Sequence, residues 1–118
     1  MRRRRKKTTG VTQELGKYSN PKIVKRLYVL VNRRLNSVYG CVQGGHAVAQ
    51  YMLENPGSTW KNEYLIYLWA DIEKWMEKLD YLGIKYSAFH EPDMNGTVTA
   101  IAVQDDTGLM FQSLKVVE

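Results

Sequence analysis

Four polar side chains that could take part in acid–base chemistry recur at helical spacing in the first half of the chain. Steps of four, three and four residues place them on one narrow stripe of a helix: Tyr39, Gln43, His46 and Gln50. The imidazole of His46 can accept or deliver a proton near neutral pH, and the amide of Gln43 offers donors and an acceptor. Because solvated surface helices carry similar stripes, the spacing alone leaves both interpretations open.

A second group of polar residues lies in the second half of the chain. Two carboxylates, Glu91 and Asp93, precede the strong turn signal Asn95-Gly96. The hydroxyls of Thr97 and Thr99 follow, alternating with apolar positions as in a strand. A carboxylate could orient an imidazole or a water molecule, and a hydroxyl could donate to a developing oxyanion. Threonines in a strand are otherwise ordinary β-sheet residues.

The sequence gives no support for metal, cofactor or covalent chemistry. It has two histidines and one cysteine at no zinc-like spacing, and it lacks phosphate-loop, dinucleotide and nucleophile-elbow motifs. We therefore expect no metal and no cofactor. The single cysteine, Cys41, excludes an internal disulfide and fits a reducing, cytoplasmic location. We expect it to be a buried small hydrophobe in the helix that carries His46.

Hydropathy predicts the elements that must position these residues. A helix capped by Asn36 or Ser37, and a second one that Asp71 begins and Gly83 ends, alternate with the strands. The predicted strands are Leu27–Val31, Glu63–Trp69, Lys85–Phe89 and Thr97–Val103. The first helix is expected to bury Val38, Cys41, Val42, Gly45, Ala49 and Met52. The second helix is expected to bury Ile72, Trp75, Met76, Leu79 and Leu82. A short turn of helix is expected near Thr107–Gln112.

This order predicts an α/β fold of three layers, with a mixed, mostly parallel four-stranded sheet covered by helices. Ligands of such sheets sit beyond the carboxyl ends of the strands, near the helix starts, and both polar groups could reach that rim. Gly44-Gly45 in the helix interior indicates either close packing on the sheet or close approach of a ligand backbone. Both explanations keep His46 on a helix that is pressed against the body.

Charge divides the 118-residue chain into two parts. Up to Arg34 there are twelve Lys and Arg against the single acid Glu14, a net charge of +11, whereas the remainder carries −6. We predict a basic N-terminal arm over residues 1–24 and one α/β domain over 25–118. A basic arm is typical of proteins that bind polyanions, although it can also be a solubilising tail. The candidate RNA-binding residues are Arg2, Arg3, Arg4, Arg5, Lys6, Lys7, Arg33 and Arg34.

Two motifs together resemble a known family. The segment Val42-Gln43-Gly44-Gly45-His46-Ala47 is similar to the A-Q-x-x-H-A signature of the type II, archaeal and eukaryotic type, peptidyl-tRNA hydrolases. It follows a strand of the V-L-V kind, Val29-Leu30-Val31. The segment Gly96-Thr97-Val98-Thr99 resembles the family's G-T-x-T strand, which follows an acidic loop. The resemblance covers roughly residues 27–103.

The resemblance implies an α/β fold and a hydrolase that cleaves the ester joining a peptide to the 3′ end of tRNA, without a metal. By position, it assigns catalytic roles to Gln43, His46, Thr97 and Thr99. Glu91 and Asp93 compete for the role of the family's loop aspartate. The expected partner is tRNA or peptidyl-tRNA. We expect no membrane partner, because no apolar stretch approaches the about 20 residues that span a bilayer. A homodimer is left open.

Two departures from the family pattern favour an alternative. The family's G-K pair at the helix start is Val38-Tyr39 in this chain, and its R-x-D-L segment is Asn32-Arg33-Arg34-Leu35. The lost lysine removes a cation expected near developing negative charge. The alternative function is therefore a catalytically inactive tRNA- or RNA-binding module of the same fold. A third hypothesis is a protein-interaction domain whose arm binds an acidic partner.

Overall fold

The computed structural model describes residues 24–118, so the predicted basic residues Arg2–Lys7 lie outside the described part. The chain folds as an α/β domain with a four-stranded mixed sheet and two helices. In chain order, the elements are β1 (Arg26–Asn32), α1 (Ser37–Glu54), β2 (Tyr64–Ala70), α2 (Ile72–Leu82), β3 (Ser87–Glu91), a 3₁₀ turn (Pro92–Met94) and β4 (Thr97–Gln104).

The sheet order is β2-β1-β4-β3. The prediction of a mostly parallel sheet is wrong, because only β1 and β2 pair in parallel, whereas β4 pairs antiparallel with both β1 and β3. The reason is the short connection Pro92–Gly96, which permits only a hairpin between β3 and β4, since a parallel pair needs a crossover of a dozen or more residues. The hairpin then places β4 against β1.

The two helices cover opposite faces of the sheet. Alternate residues of β1 divide between them: Leu27, Val29 and Val31 pack on the α1 side, and Tyr28 and Leu30 on the α2 side. All five are buried, which confirms the prediction that this continuous apolar run is covered on both faces. The expected three-layer arrangement is therefore present.

The second helix follows its sequence pattern closely. The Asp71 side chain accepts a hydrogen bond from Lys74 N, and Gly83 ends the helix in the left-handed region at φ 70°. Of the residues expected on its inner face, Ile72 and Leu79 are buried and Trp75 and Met76 are partly buried. Leu82 is exposed, which contradicts that part of the prediction. Residues 107–112 form turns rather than the expected turn of helix.

The face of the first helix that packs on the sheet is opposite to the face that the sequence predicts to be buried. Its buried residues are Gly40, Gln43, Gly44, Ala47 and Tyr51, whereas every residue of the predicted apolar stripe faces solvent, including Cys41. A Cβ at Gly40 would lie 2.8 Å from Val31, and one at Gly44 would overlap with the Tyr67 ring. The helix thus approaches the sheet closely at these two glycines, and the apolar residues of the predicted stripe are left outside.

The outer edge of β2 is covered by the C-terminal tail. Trp69 N donates to Lys115 O over 2.8 Å, and Val117 N donates to Tyr67 O over 3.0 Å. Val116 forms the bridge to Leu68. Among residues 24–118, no strand pairs with the outer edge of β3, which lies beside the polar residues described below.

The two adjacent glycines of α1 provide a matched test of this orientation. Gly44→Ala should destabilise the fold by about 1–3 kcal/mol because the new methyl group meets the Tyr67 ring. Gly45→Ala has no atom within 4 Å of the new Cβ and should stabilise the helix by about 1 kcal/mol. Urea unfolding in dilute solution measures both changes. Equal effects of the two substitutions would contradict the observed orientation of α1.

Candidate active site

Gln43 lies in the interior of the domain, between α1 and the sheet. Its side chain is only 2% exposed, and its Oε1 accepts a hydrogen bond of 2.6 Å from Thr99 Oγ1. Thr99 is fully buried, so this bond satisfies two polar groups that water cannot reach. The bond also joins the two sequence motifs and fixes the rotation of α1 about its own axis.

A β-bulge directs Thr99 towards the helix. The pairing of β3 with β4 passes from Phe89–Ala100 to His90–Val98, so Thr99 is an extra residue in β4. A bulge interrupts strict alternation and redirects a side chain. The i, i+2 spacing of Thr97 and Thr99 therefore does not place their side chains in equivalent positions on the strand, and the two hydroxyls have different partners.

Glu91 is the carboxylate that the fold brings to α1. It ends β3 and is only 8% exposed. Its Oε2 accepts from Asp93 N over 3.1 Å, and its Oε1 accepts from the Tyr39 hydroxyl over 3.3 Å. The hydrogen bond from the backbone N–H of Asp93 is the main cause that lowers the pKa of Glu91. Partial desolvation opposes the shift, while the Gln43 amide, Tyr39 and the charge of His46 add to it.

Asp93, the other candidate carboxylate, is exposed on the 3₁₀ turn, and its backbone rather than its side chain contacts Glu91. The two competing carboxylates therefore occupy different environments: Glu91 is an ionised group enclosed by donors, and Asp93 lies in solvent. Glu91 also caps the 3₁₀ turn, which is a structural role that needs no substrate. The geometry favours Glu91 as the acid associated with the α1 residues.

Tyr39 connects the start of α1 to the acidic loop. Its hydroxyl donates to Glu91 and lies 3.9 Å from the sulfur of Met94. Desolvation, followed by the negative charge of Glu91, raises the pKa of Tyr39 above its ordinary value. The hydroxyl therefore keeps its proton at neutral pH and remains a donor. The sequence placed Tyr39 on the polar stripe but gave it no role.

His46 lies on the solvent side of this cluster. Its ring stacks on Phe89 of β3, with centroids 4.5 Å apart and planes inclined by 13°. The stacking holds an otherwise exposed imidazole in one orientation, and its charge acts on Glu91. No ion pair within 4 Å joins His46 to an acid among residues 24–118. The sequence analysis missed Phe89, although the alternation of a strand could have placed it on the same face as Glu91.

Thr97 has a partner within the loop. Its hydroxyl donates 2.7 Å to Met94 O, and the loop is closed by Gly96 N donating to Glu91 O over 2.9 Å. Asn95 and Gly96 take left-handed backbone conformations at φ 56° and 78°. The structure thus gives Thr97 a turn-forming hydrogen bond, and its hydroxyl proton is not directed at the Gln43–Glu91 cluster.

Arg33 and Arg34 lie at the rim beyond β1. They line a cavity of about 190 Å³ together with Asn32, Asp71 and Thr97. Both arginines are exposed, and Arg33 Nη2 lies 3.6 Å from Asp71 Oδ2. The rim also contains the starts of both helices. The arginines and the acidic loop therefore lie where the sequence predicts a ligand site, beyond the ends of the strands. Ile72, Glu73 and Met76 also line this cavity, so it opens on the α2 side of the rim, where the arginines could bind a phosphate group.

The groups brought together are an imidazole, a carboxylate, a phenol and a buried amide, which suit proton transfer and polar recognition. Within residues 24–118, no group of three or more His, Cys, Asp or Glu side chains could hold a metal ion. None of the helices in the same range is both long and apolar enough to cross a bilayer.

Comparisons with known proteins add information on the fold. The sequence matches no family model and no curated protein. The structure is similar to a solved structure from Agrobacterium tumefaciens strain C58, a protein of unknown function called Atu0240, with a TM-score of 0.58. The sequences are 10% identical, and the match covers 80% of this chain and 98% of that one. At this identity, the likeness supports the α/β fold.

The bond between Gln43 and Thr99 can be tested by removing the donor. Thr99→Val leaves the buried Gln43 oxygen unpaired and should destabilise the protein by about 1–3 kcal/mol. Thr97→Val is the matched control, because that hydroxyl is exposed and its loss should change stability by no more than about 0.5 kcal/mol. Urea unfolding of both variants gives the comparison. A larger effect at residue 97 than at residue 99 would refute the assignment.

Proposed function

We propose that the protein hydrolyses the ester bond of peptidyl-tRNA, releasing the peptide and tRNA. The observation that carries this proposal is the convergence of Gln43 and His46 from α1 with Thr99 from β4, which are residues of the two motifs, and with Glu91 from the acidic loop. If His46 lay on the opposite face of the domain, no common site would exist. The stacking on Phe89 places it on the same face as Glu91.

In the proposed reaction, neutral His46 accepts a proton from a water molecule as that water attacks the ester carbonyl. The imidazolium then returns the proton to the departing 3′ oxygen of the tRNA. Phe89 restricts the orientation of the ring, and the charged Glu91 carboxylate lies on the same face of the domain. Gln43 and Thr99 are positioning residues, because their mutual hydrogen bond is buried beneath the site.

A donor is also required for the negative charge that develops on the carbonyl oxygen. We assign this role to Tyr39, whose hydroxyl is partly exposed and stays protonated. Its proton is directed at Glu91 over a long 3.3 Å in the free protein and would turn to the carbonyl oxygen, whereas Met94 O holds the Thr97 proton over 2.7 Å. Arg33, Arg34 and the basic segment Arg2–Lys7 would bind tRNA phosphates, which gives affinity with little sequence selectivity. Asp93, which is exposed beside the site, would act on the bound water only through solvent.

A peptidyl-tRNA assay tests the catalytic proposal. The wild-type protein should release labelled peptide, and His46→Ala should slow release by about 10²–10⁴-fold because the general base is lost. His90→Ala is the matched control: it is the second histidine, it is exposed, and its Nδ1 contacts Gly96 O rather than the cluster. Absence of release above background, or release that His46→Ala leaves unchanged, would refute the enzymatic function.

The second candidate is an RNA-binding module of the same fold without hydrolysis. It is favoured by the internal hydrogen bonds of Thr97 and Thr99, which engage both hydroxyl protons, and by the tyrosine that stands in place of the family's lysine. In this case the Glu91 network is a structural device that holds the β3–β4 turn against α1. The arginines of the rim and the basic arm would then carry the function alone.

Salt dependence tests the RNA binding that both candidates share, and salt-sensitive binding without peptide release distinguishes the second candidate. RNA binding should weaken steeply as salt rises, because each neutralised phosphate releases counterions. Deleting Met1–Lys7, and separately replacing Arg33 and Arg34 by Gln, should each lower both the affinity and the salt slope in a fluorescence-anisotropy titration. Lys74→Gln and Lys78→Gln on α2 serve as controls of equal charge change. Binding that is insensitive to ionic strength would count against an RNA-binding role of either kind.

A further inference from the structure

The outward face of α1 is apolar along its whole length. Val38 and Leu53 are each 78% exposed, and the face is completed by Cys41, Val42, Gly45, Ala49 and Met52, which are all exposed. We call these seven residues the outer stripe. It lies opposite the buried face of the helix. Among the 18 residues of the helix, Glu54 is the single acid, and there is no Lys or Arg. Surface helices carry polar residues at these positions, so this face is suited to contact another molecule.

Gly45 lies near the middle of the outer stripe, and no contact within the described domain requires a glycine there. Gly40 and Gly44 are required because any side chain there would meet Val31 or Tyr67, whereas a Cβ at Gly45 would have open space around it. Its backbone is helical and does not need the left-handed region. A glycine in such a position weakens the helix relative to alanine. Close approach of a second backbone is the remaining physical reason for it.

Four residues of the outer stripe are arranged in symmetric pairs about Gly45. Val38 and Met52 lie seven residues before and after it, and Cys41 and Ala49 lie four residues before and after it. If two copies of α1 cross antiparallel at Gly45, Val38 faces Met52 and Cys41 faces Ala49 of the second copy, whereas Val42 and Leu53 face the partly exposed Val48 and Ser37. A patch that is complementary to itself in this way is what a two-fold dimer requires. An unrelated partner would not require the symmetry.

The charges at the ends of α1 favour the same antiparallel arrangement. The helix has no acid in its first turn and no base in its last turn, so neither end of its dipole is neutralised by its own residues. In an antiparallel pair, the start of one helix lies beside the end of the other. Arg34, exposed just before α1, then approaches the carboxyl end of the second copy's helix, which carries Glu54. Each copy supplies the charge that the other lacks.

From these observations we infer that the protein forms a two-fold symmetric dimer through the outer stripe, with the two α1 helices antiparallel and crossing at Gly45. The inference does not depend on the proposed function. His46 follows Gly45 and projects about 100° further around the helix, so its polar face stays open beside the dimer interface.

Light scattering and sedimentation of the full chain test this inference. The wild-type protein should show a mass twice the 13.7 kDa of one chain, and dilution should dissociate it. Gly45→Gln and Val42→Glu should each raise the dissociation constant by at least about tenfold, because each places a long polar side chain at the crossing. Tyr81→Glu on α2 is the matched control: Tyr81 is 89% exposed and outside the stripe, so this variant should remain dimeric.

Gly45→Gln also separates loss of the dimer from loss of the fold. Glutamine favours helix and no atom of the domain lies within 4 Å of the new Cβ, so the variant should be as heat-resistant as the wild type in dilute solution, where both are monomeric. Loss of the dimer without loss of the fold supports the inference. Wild-type protein that remains monomeric at every concentration overturns it, whatever else covers the stripe. A dimer that both stripe variants retain also overturns it.

A disulfide tests the register. Ala49→Cys should cross-link to Cys41 of the second copy under oxidising conditions, because both residues lie four positions from the crossing. Within one chain the two cysteines are eight residues apart, about 12 Å along the helix, which is too far for a disulfide. The wild type, with Cys41 alone, should not cross-link for the same reason, and Tyr81→Cys serves as the control with an added surface thiol. Cross-linking of Tyr81→Cys equal to that of Ala49→Cys would overturn the antiparallel register.

Discussion

The rotation of α1 on the sheet is the constraint on which the rest of the structure depends. The buried Gln43–Thr99 hydrogen bond and the close approach of Gly40 and Gly44 to the strands admit one orientation of the helix. In that orientation, the polar residues lie along the β3–β4 side of the domain. The same orientation directs the larger apolar residues of the helix away from the sheet. The candidate active site and the outer stripe are therefore two consequences of one packing arrangement.

The burial of a glutamine at this position has an energetic basis. An amide that enters the interior without partners costs several kcal/mol, whereas one that is fully hydrogen-bonded costs little. Thr99 supplies the donor only because a bulge in β4 adds one residue to the strand and turns the hydroxyl towards α1. The pair links the first helix to the last strand and holds the residues above it. Tyr39, Glu91 and His46 occupy those positions and share a surface with Phe89.

The balance between a catalytic and a structural interpretation depends on which hydrogen bonds remain open to a substrate. The Glu91 carboxylate is already capped by the backbone of its own turn, and the two threonine hydroxyls have internal partners. The His46 imidazole is exposed, and the Tyr39 hydroxyl is partly exposed although it donates to Glu91 in the free protein. A hydrolytic function therefore depends on these two side chains and on the arginines of the rim, with the amide and threonine acting beneath them.

The sequence by itself determined the order of the elements and most of their boundaries. The apolar run Leu27–Val31 indicates a strand covered on both faces, and Asp71 with Gly83 delimits α2, because backbone capping and burial on both faces are local properties. The sequence also singled out the two motifs that the Gln43–Thr99 hydrogen bond joins. The tertiary structure decided which face of α1 is buried, the antiparallel position of β4 and the choice of Glu91 rather than Asp93 as the enclosed carboxylate. These three features depend on contacts between residues far apart in the chain. A hydrophobic pattern assumes that the larger apolar side chains pack inward. In this protein the glycines allow closer packing, and a distant hydroxyl makes the burial of a glutamine possible.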